Sequence, residues 1–292
     1  MNRPTENQPF FQAAAAGRSA WWRYALSLLL IIGLTVSGGV CLTVPLVLLS
    51  RTAELAGMDP PLLTGVNLFT FAFVIIGLWI ALAALHRRSM RSILSPAGPF
   101  RWKALLLSGG LWLAVSVLSD GLLAILQPGN YRLTYDPVQF WKYLPVLALL
   151  LPIQISAEEL LFRGYLTQAI GHGTRSWALG WVLPAVAFGL LHSFNPEVGL
   201  YGFCLTMPLY IGLGLLLGWV TLRTQGLEMA LGLHLANNLY ASLAVTMTGS
   251  ALATPALFTI QTYRPLVGLV VFALSAGVYV LAVRRLTHSG PG

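Results

Sequence analysis

The stretch "AEELLFRG", residues 157–164, sets two adjacent carboxylates and an arginine inside an apolar run that extends over 144–168. A run of roughly 20 apolar residues is long enough to cross the hydrocarbon core of a bilayer as a helix. Inside lipid the backbone closes its own hydrogen bonds, and every ionisable side chain must find a partner or water. Helix geometry sorts the three charges. Glu159 and Arg163 are four residues apart and share a face, whereas Glu158 is turned about 100° from Glu159. Arg163 therefore compensates Glu159, and Glu158 is left to face elsewhere, where a carboxylate can serve as a proton acceptor.

The rest of the chain has the same character. Its 292 residues are 57% hydrophobic and 9% charged, with a mean hydropathy of +0.75, which excludes an ordinary soluble domain. Apolar windows of about 20 residues fall at 24–49, 66–85, 104–126, 144–168, 177–194, 199–222, 227–248 and 265–283. The expected fold class is all-α: a polytopic membrane protein with about eight transmembrane helices. The 17 basic residues outnumber the 9 acidic ones, yet they lie between apolar runs rather than in a basic domain, so no nucleic-acid partner is implied.

With the N-terminus inside, 13 basic residues fall on the inner side, from Arg3, Arg18 and Arg23 through Arg87, Arg88, Arg91, Arg101 and Lys103 to Arg285. Only Arg51, Arg132, Lys142 and Arg264 fall outside. This bias predicts two cytoplasmic termini. Trp21, Trp22, Trp102, Trp141 and Trp177 sit near predicted span ends, as interfacial anchors do. The polar stretch before the first span reads as part of an uncleaved anchor. Cys41 and Cys204 lie far apart in apolar runs and support neither a disulfide framework nor a cysteine zinc site.

Two later spans also break the apolar pattern. "FGLLHSFNP" carries Phe188 and His192 at i and i+4, and "GLEMALGLHLANN" carries His234 and Asn238 one turn apart, with Asn237 beside them. A carboxylate, two imidazoles and an amide suit acyl-transfer hydrolysis. Glu158 would take a proton from water, one histidine would order that water, and a histidine with an asparagine would donate to the oxyanion. The alternative is a divalent metal, zinc, held by Glu158, His192 and His234 with water in the open position. No His-Glu-x-x-His helix is present, so a metal-free glutamate-activated water is favoured and no cofactor is expected.

At these residues the chain resembles the CPBP family, the CAAX proteases and bacteriocin-processing enzymes also called the ABI family. The family's motifs are matched by Glu158-Glu159-x-x-x-Arg163, by Phe188-x-x-x-His192, by the glycine-rich "YIGLGLLLGWVTLRTQGLEMALGLH" and by His234-x-x-x-Asn238, over about 140–245. The resemblance implies a CAAX-protease-like bundle of eight helices and an intramembrane endopeptidase. It implies that Glu158 and His192 activate water, that His234 and Asn238 form the oxyanion hole, and that Glu159, Arg163 and Phe188 support them. The substrate would be a peptide or protein, membrane-associated in the prenylated targets of eukaryotic members. Short connections suggest a bacterial plasma-membrane protein, for which prenylated substrates are not expected. The chain then divides into N-terminal helices over 1–135, a CPBP-like catalytic core over 136–250, and a last helix and tail over 251–292.

Other polar positions have plainer readings. Asp120 is expected at the interface, and His86, His172 and His288 in solvent. Gly212, Gly214 and Gly218 indicate close helix packing. Two further functions compete with proteolysis: a non-catalytic immunity or scaffold protein on the same fold, and a proton-coupled transporter. Against the transporter stands the lack of inverted repeats.

Overall fold

The computed structural model describes residues 8–49, 59–252 and 254–288. Arg3, Arg51 and the side chain of His288, used above, lie outside the described residues. In chain order the helices are α1 (Pro9–Ala15), α2 (Trp21–Leu49), α3 (Pro60–Phe69), α4 (Phe71–Ile80), α5 (Arg91–Leu94), α6 (Trp102–Leu126), α7 (Pro137–Glu159), α8 (Thr167–Thr174), α9 (Trp177–Leu191), α10 (Pro196–Tyr201), α11 (Phe203–Thr224), α12 (Glu228–Leu243) and α13 (Pro265–His288). Wide π-helical turns extend α4 over Ala81–His86 and join α7 to α8 over Leu160–Leu166.

The protein is an all-α polytopic membrane protein. Each of the eight windows holds a helix, and among the described residues seven helical segments are long and apolar enough to cross a membrane. The exception is the window at 227–248. Its helix, α12, ends at Leu243 after 16 residues, because the chain then enters a strand at Val245. At 1.5 Å per residue α12 spans about 24 Å, short of a hydrocarbon core of about 30 Å. The fourth window grows in the other direction: α7, the π turn and α8 run continuously over 38 residues, Pro137–Thr174.

One addition lies outside the helical expectation. Strands β1 (Tyr131–Leu133), β2 (Val245–Met247) and β3 (Phe258–Ile260) form a small sheet in the order β1-β3-β2, with β1 antiparallel and β2 parallel to β3.

Contacts divide the chain into two compact units. The first comprises 1–99, 141–180 and 225–227. In it α2 and α4 approach closely: the faces of Gly38 and Gly77 are filled by Phe73 and Ile31. The short α1 is amphipathic and docks by Phe10 and Phe11, both fully buried, with the Phe11 ring lying where a Cβ on Gly171 would stand. The Phe10 amide donates to Gln225 Oε1 at 3.0 Å.

His86, expected in solvent, is fully buried. Its Nδ1 lies 2.7 Å from the Arg18 carbonyl, and its Nε2 lies 2.8 Å from the Tyr165 hydroxyl and 3.2 Å from Ser27 Oγ. The reason is the backbone: Arg87 adopts the left-handed conformation (φ 55°), so the chain reverses immediately after the π turn and His86 stays inside.

The second unit comprises 100–140, 181–224 and 228–292. Its core joins Trp112, Leu217, Val220, Leu233, Tyr279 and Val283. Helices α6 and α12 cross where both are glycine: a Cβ on Gly109 would stand 2.9 Å from the Gly232 carbonyl oxygen, and one on Gly232 only 2.0 Å from the Leu105 carbonyl oxygen. Ser108 Oγ donates to the Met229 carbonyl at 2.5 Å beside this crossing. Gly214 packs on the backbone of Ala185, and Gly218 on Trp181, so these glycines do serve close packing of α11 on α9.

Candidate active site

The predicted site residues fall in both units. In the first, Glu158 and Glu159 end α7. Glu159 and Arg163 are fully buried and joined by a hydrogen-bonded ion pair of 2.9 Å. Glu158, 8% exposed, accepts a bond of 2.7 Å from Gln154 Nε2. The amide is one helical turn before the carboxylate, so this partner was available from i,i+4 spacing, but it was not singled out. The π turn starts directly after Glu159. Such turns displace the following residues from α-helical register and recur at functional sites.

In the second unit, α9 ends at Leu191 and His192 opens a single 3₁₀ turn, His192–Phe194. Phe188 lies between the two histidines: its ring centroid is 4.5 Å from that of His192 and 5.9 Å from that of His234. The second unit thus brings Phe188, His192 and His234 together. His234 is 2% exposed, while His192 is half-buried.

Hydrogen bonding fixes the polarity of His192 and of the two amides of α12. His192 Nδ1 lies 2.7 Å from the Phe188 carbonyl oxygen. A carbonyl only accepts, so Nδ1 carries the proton and Nε2 of the neutral ring presents a lone pair. The amides of α12 are oriented in the same way. Trp112 Nε1 can only donate, and it donates to Asn237 Oδ1 at 3.1 Å; Asn237 Nδ2 in turn donates to Asn238 Oδ1 at 3.1 Å. The NH₂ of Asn238 is consequently its donor end.

Two residues not anticipated from sequence support His192. The Tyr210 ring stacks on the imidazole with centroids 4.5 Å apart and planes at 25°. Its hydroxyl accepts a bond of 2.9 Å from Asn195 Nδ2 and donates a short bond to Glu197 Oε1. Glu197 is 6% exposed, and its Oε2 is buried without a hydrogen-bond partner among the described residues. The only signal for it was the Asn195-Pro196-Glu197 order, which starts a helix and so reads as local capping. Among the described residues no three His, Cys, Asp or Glu side chains are grouped as metal ligands would be.

Residues 139–240 match the family described as type II CAAX prenyl endopeptidase Rce1-like. That segment, about a third of the chain, is similar to the Rce1-like family. The segment contains Gln154, Glu158, Glu159, Arg163, Phe188, His192, Tyr210, His234 and Asn238. Similarity to a further protein runs well beyond it: one from Bacillus subtilis (strain 168), described as uncharacterized protein YyaK, is 28% identical over 263 residues, covering 86% of this chain and 87% of its own length. No solved structure matches the chain.

Proposed function

We propose that the protein is an intramembrane endopeptidase that hydrolyses a peptide bond with water activated by Glu158. The Rce1-like match supports a CAAX-protease-type enzyme in general, acting on a peptide or protein substrate in a membrane. The finer reading assigns a role to each side chain. Glu158 accepts a proton from water as the oxygen attacks the scissile carbonyl. His192 orders that water through its Nε2 lone pair. His234 and the NH₂ of Asn238 donate to the oxyanion of the tetrahedral intermediate. The intermediate collapses with cleavage of the C–N bond, and the proton held on Glu158 passes to the departing amine. Glu159, Arg163 and Phe188 hold these groups. No step is routed through a metal, and both termini are read as cytoplasmic.

The observation that carries this reading is the grouping of His192 and His234 about Phe188, beside an amide pair whose donor end is set by Trp112. The test compares wild type with Glu158→Gln for cleavage of a fluorogenic peptide library, lipidated C-terminal peptides included, with and without EDTA. Cleavage that is lost in the variant and kept in EDTA is expected. Equal cleavage by both proteins removes Glu158 from the mechanism, and loss in EDTA moves the chemistry to a metal.

A further inference from the structure

Asp120 is half-buried and lies near the C-terminal end of α6. It faces a cavity of about 290 Å³ within the second unit, bounded by α6, α12, α13 and the small sheet. Its carboxylate accepts a bond of 2.7 Å from the Tyr131 hydroxyl, and Tyr240 lines the same cavity. Burial, followed by the bond to Asp120, pushes the Tyr131 phenol up, so it remains a neutral donor throughout the physiological range. The carboxylate–cation pairs among the described residues are Arg101–Glu228 and Arg163–Glu159, so no described cation balances Asp120.

The remaining wall defines what would balance it. Trp112 and Phe272 supply aromatic surface. Ser116 Oγ spends its proton on the Trp112 carbonyl, which leaves its lone pairs to accept. Thr246 Oγ1 is buried with no hydrogen-bond partner among the described residues. Asp120 is the one carboxylate on the cavity wall, so it balances a single positive charge rather than the two of a calcium or magnesium ion. It does match a primary ammonium, which has three N–H donors and is attracted to aromatic rings.

We propose that this cavity binds a primary ammonium group on a short alkyl chain, with Asp120 as its counter-ion. The ammonium donates to Asp120, Ser116 and Thr246, and the alkyl carbons lie against Trp112 and Phe272. Such a group occurs both in free small amines and in the headgroup of an aminophospholipid. The proposal does not rest on the proteolytic reading, although Trp112 and Asn237 belong both to this cavity wall and to the amide pair of the candidate active site.

The test follows thermal unfolding of the full chain by intrinsic fluorescence. In detergent, ethanolamine hydrochloride is compared with sodium chloride at equal ionic strength. In nanodiscs, phosphatidylcholine alone is compared with phosphatidylcholine plus phosphatidylethanolamine. A ligand at ten times its Kd should raise the Tm of wild type by about 3 °C. The rise is expected to vanish in Asp120→Asn and in the cavity-filling Ser116→Leu, which keeps the carboxylate and decides the matter if the first variant does not fold. A rise with phosphatidylethanolamine identifies the headgroup as a source, and a rise with ethanolamine alone identifies a small amine. Equal rises with sodium chloride, a rise that survives both variants, or no rise with either amine would overturn the proposal.

Discussion

The orientation of a single amide decides what Asn238 can do. Trp112 donates to Asn237 and Asn237 donates to Asn238, so the oxygen of the second amide accepts and its N–H is the end that can donate. If that N–H stabilises an oxyanion, Asn238→Ala should lower kcat by about 10²–10³-fold. Asn237→Ala should lower it less, since it removes the orientation of the donor and not the donor itself. Steady-state kinetics on any cleaved peptide separate the two, and a larger loss for Asn237 would reverse their roles. The ion pair of Glu159 and Arg163 has a different signature. Both side chains are fully buried, so Arg163→Ala strands a carboxylate in the interior and should cost about 3–5 kcal/mol of stability. The double variant Glu159→Gln/Arg163→Met removes both charges and should recover most of that loss in a thermal unfolding measurement.

Helix crossings carry these residues to their positions, and α6 crosses α12 closely. Gly232 lies two residues before His234, and a Cβ there would meet the Leu105 carbonyl oxygen at 2.0 Å, a contact that only backbone movement can relieve. Gly232→Ala should therefore destabilise the protein by about 1–3 kcal/mol and reduce turnover as His234 shifts. Gly110→Ala, on α6 but facing open space, should leave both unchanged. Failure of the two variants to differ, in unfolding and in turnover, would sink the argument. This contrast also explains what was legible in the sequence. Glu159 with Arg163, Phe188 with His192, and His234 with Asn238 are each one turn apart on one helix, and that periodicity is local. Tyr210 beneath His192 and Trp112 behind Asn237 come from distant segments, and no spacing rule reaches them. The strands of the sheet have only three residues each, too short to alternate visibly, and the early end of α12 follows from that sheet. His86 looked solvated because basic residues surround it, whereas the positive φ of Arg87 is a property of the folded backbone.

At the scale of the whole molecule, many large apolar side chains stand on the exterior. Leu118, Ile125, Leu149 and Leu274 are all about two-thirds exposed or more, as a surface facing hydrocarbon requires. The charges then decide orientation. The connection at 86–103 carries Arg87, Arg88, Arg91, Arg101 and Lys103, against Arg132 and Lys142 in the connection at 127–142. Not all of that charge is spent on orientation: Arg88 is buried and bonded to Gln168, and burial pushes its guanidinium down. Even without it the first connection keeps four basic residues against two, so it should lie in the cytoplasm. Cysteine labelling can read this directly, since the native Cys41 and Cys204 are both surface residues of apolar helices and can be replaced by alanine. Into that background, Ser89→Cys and Leu133→Cys each place one thiol at an exposed position on opposite predicted sides. In sealed right-side-out vesicles a membrane-impermeant maleimide should label Leu133→Cys at once and Ser89→Cys only after permeabilisation. The reverse pattern would invert the orientation and put Glu228 and the start of α12 on the outer side, because α12 begins with a glutamate held by Arg101 of that same basic connection.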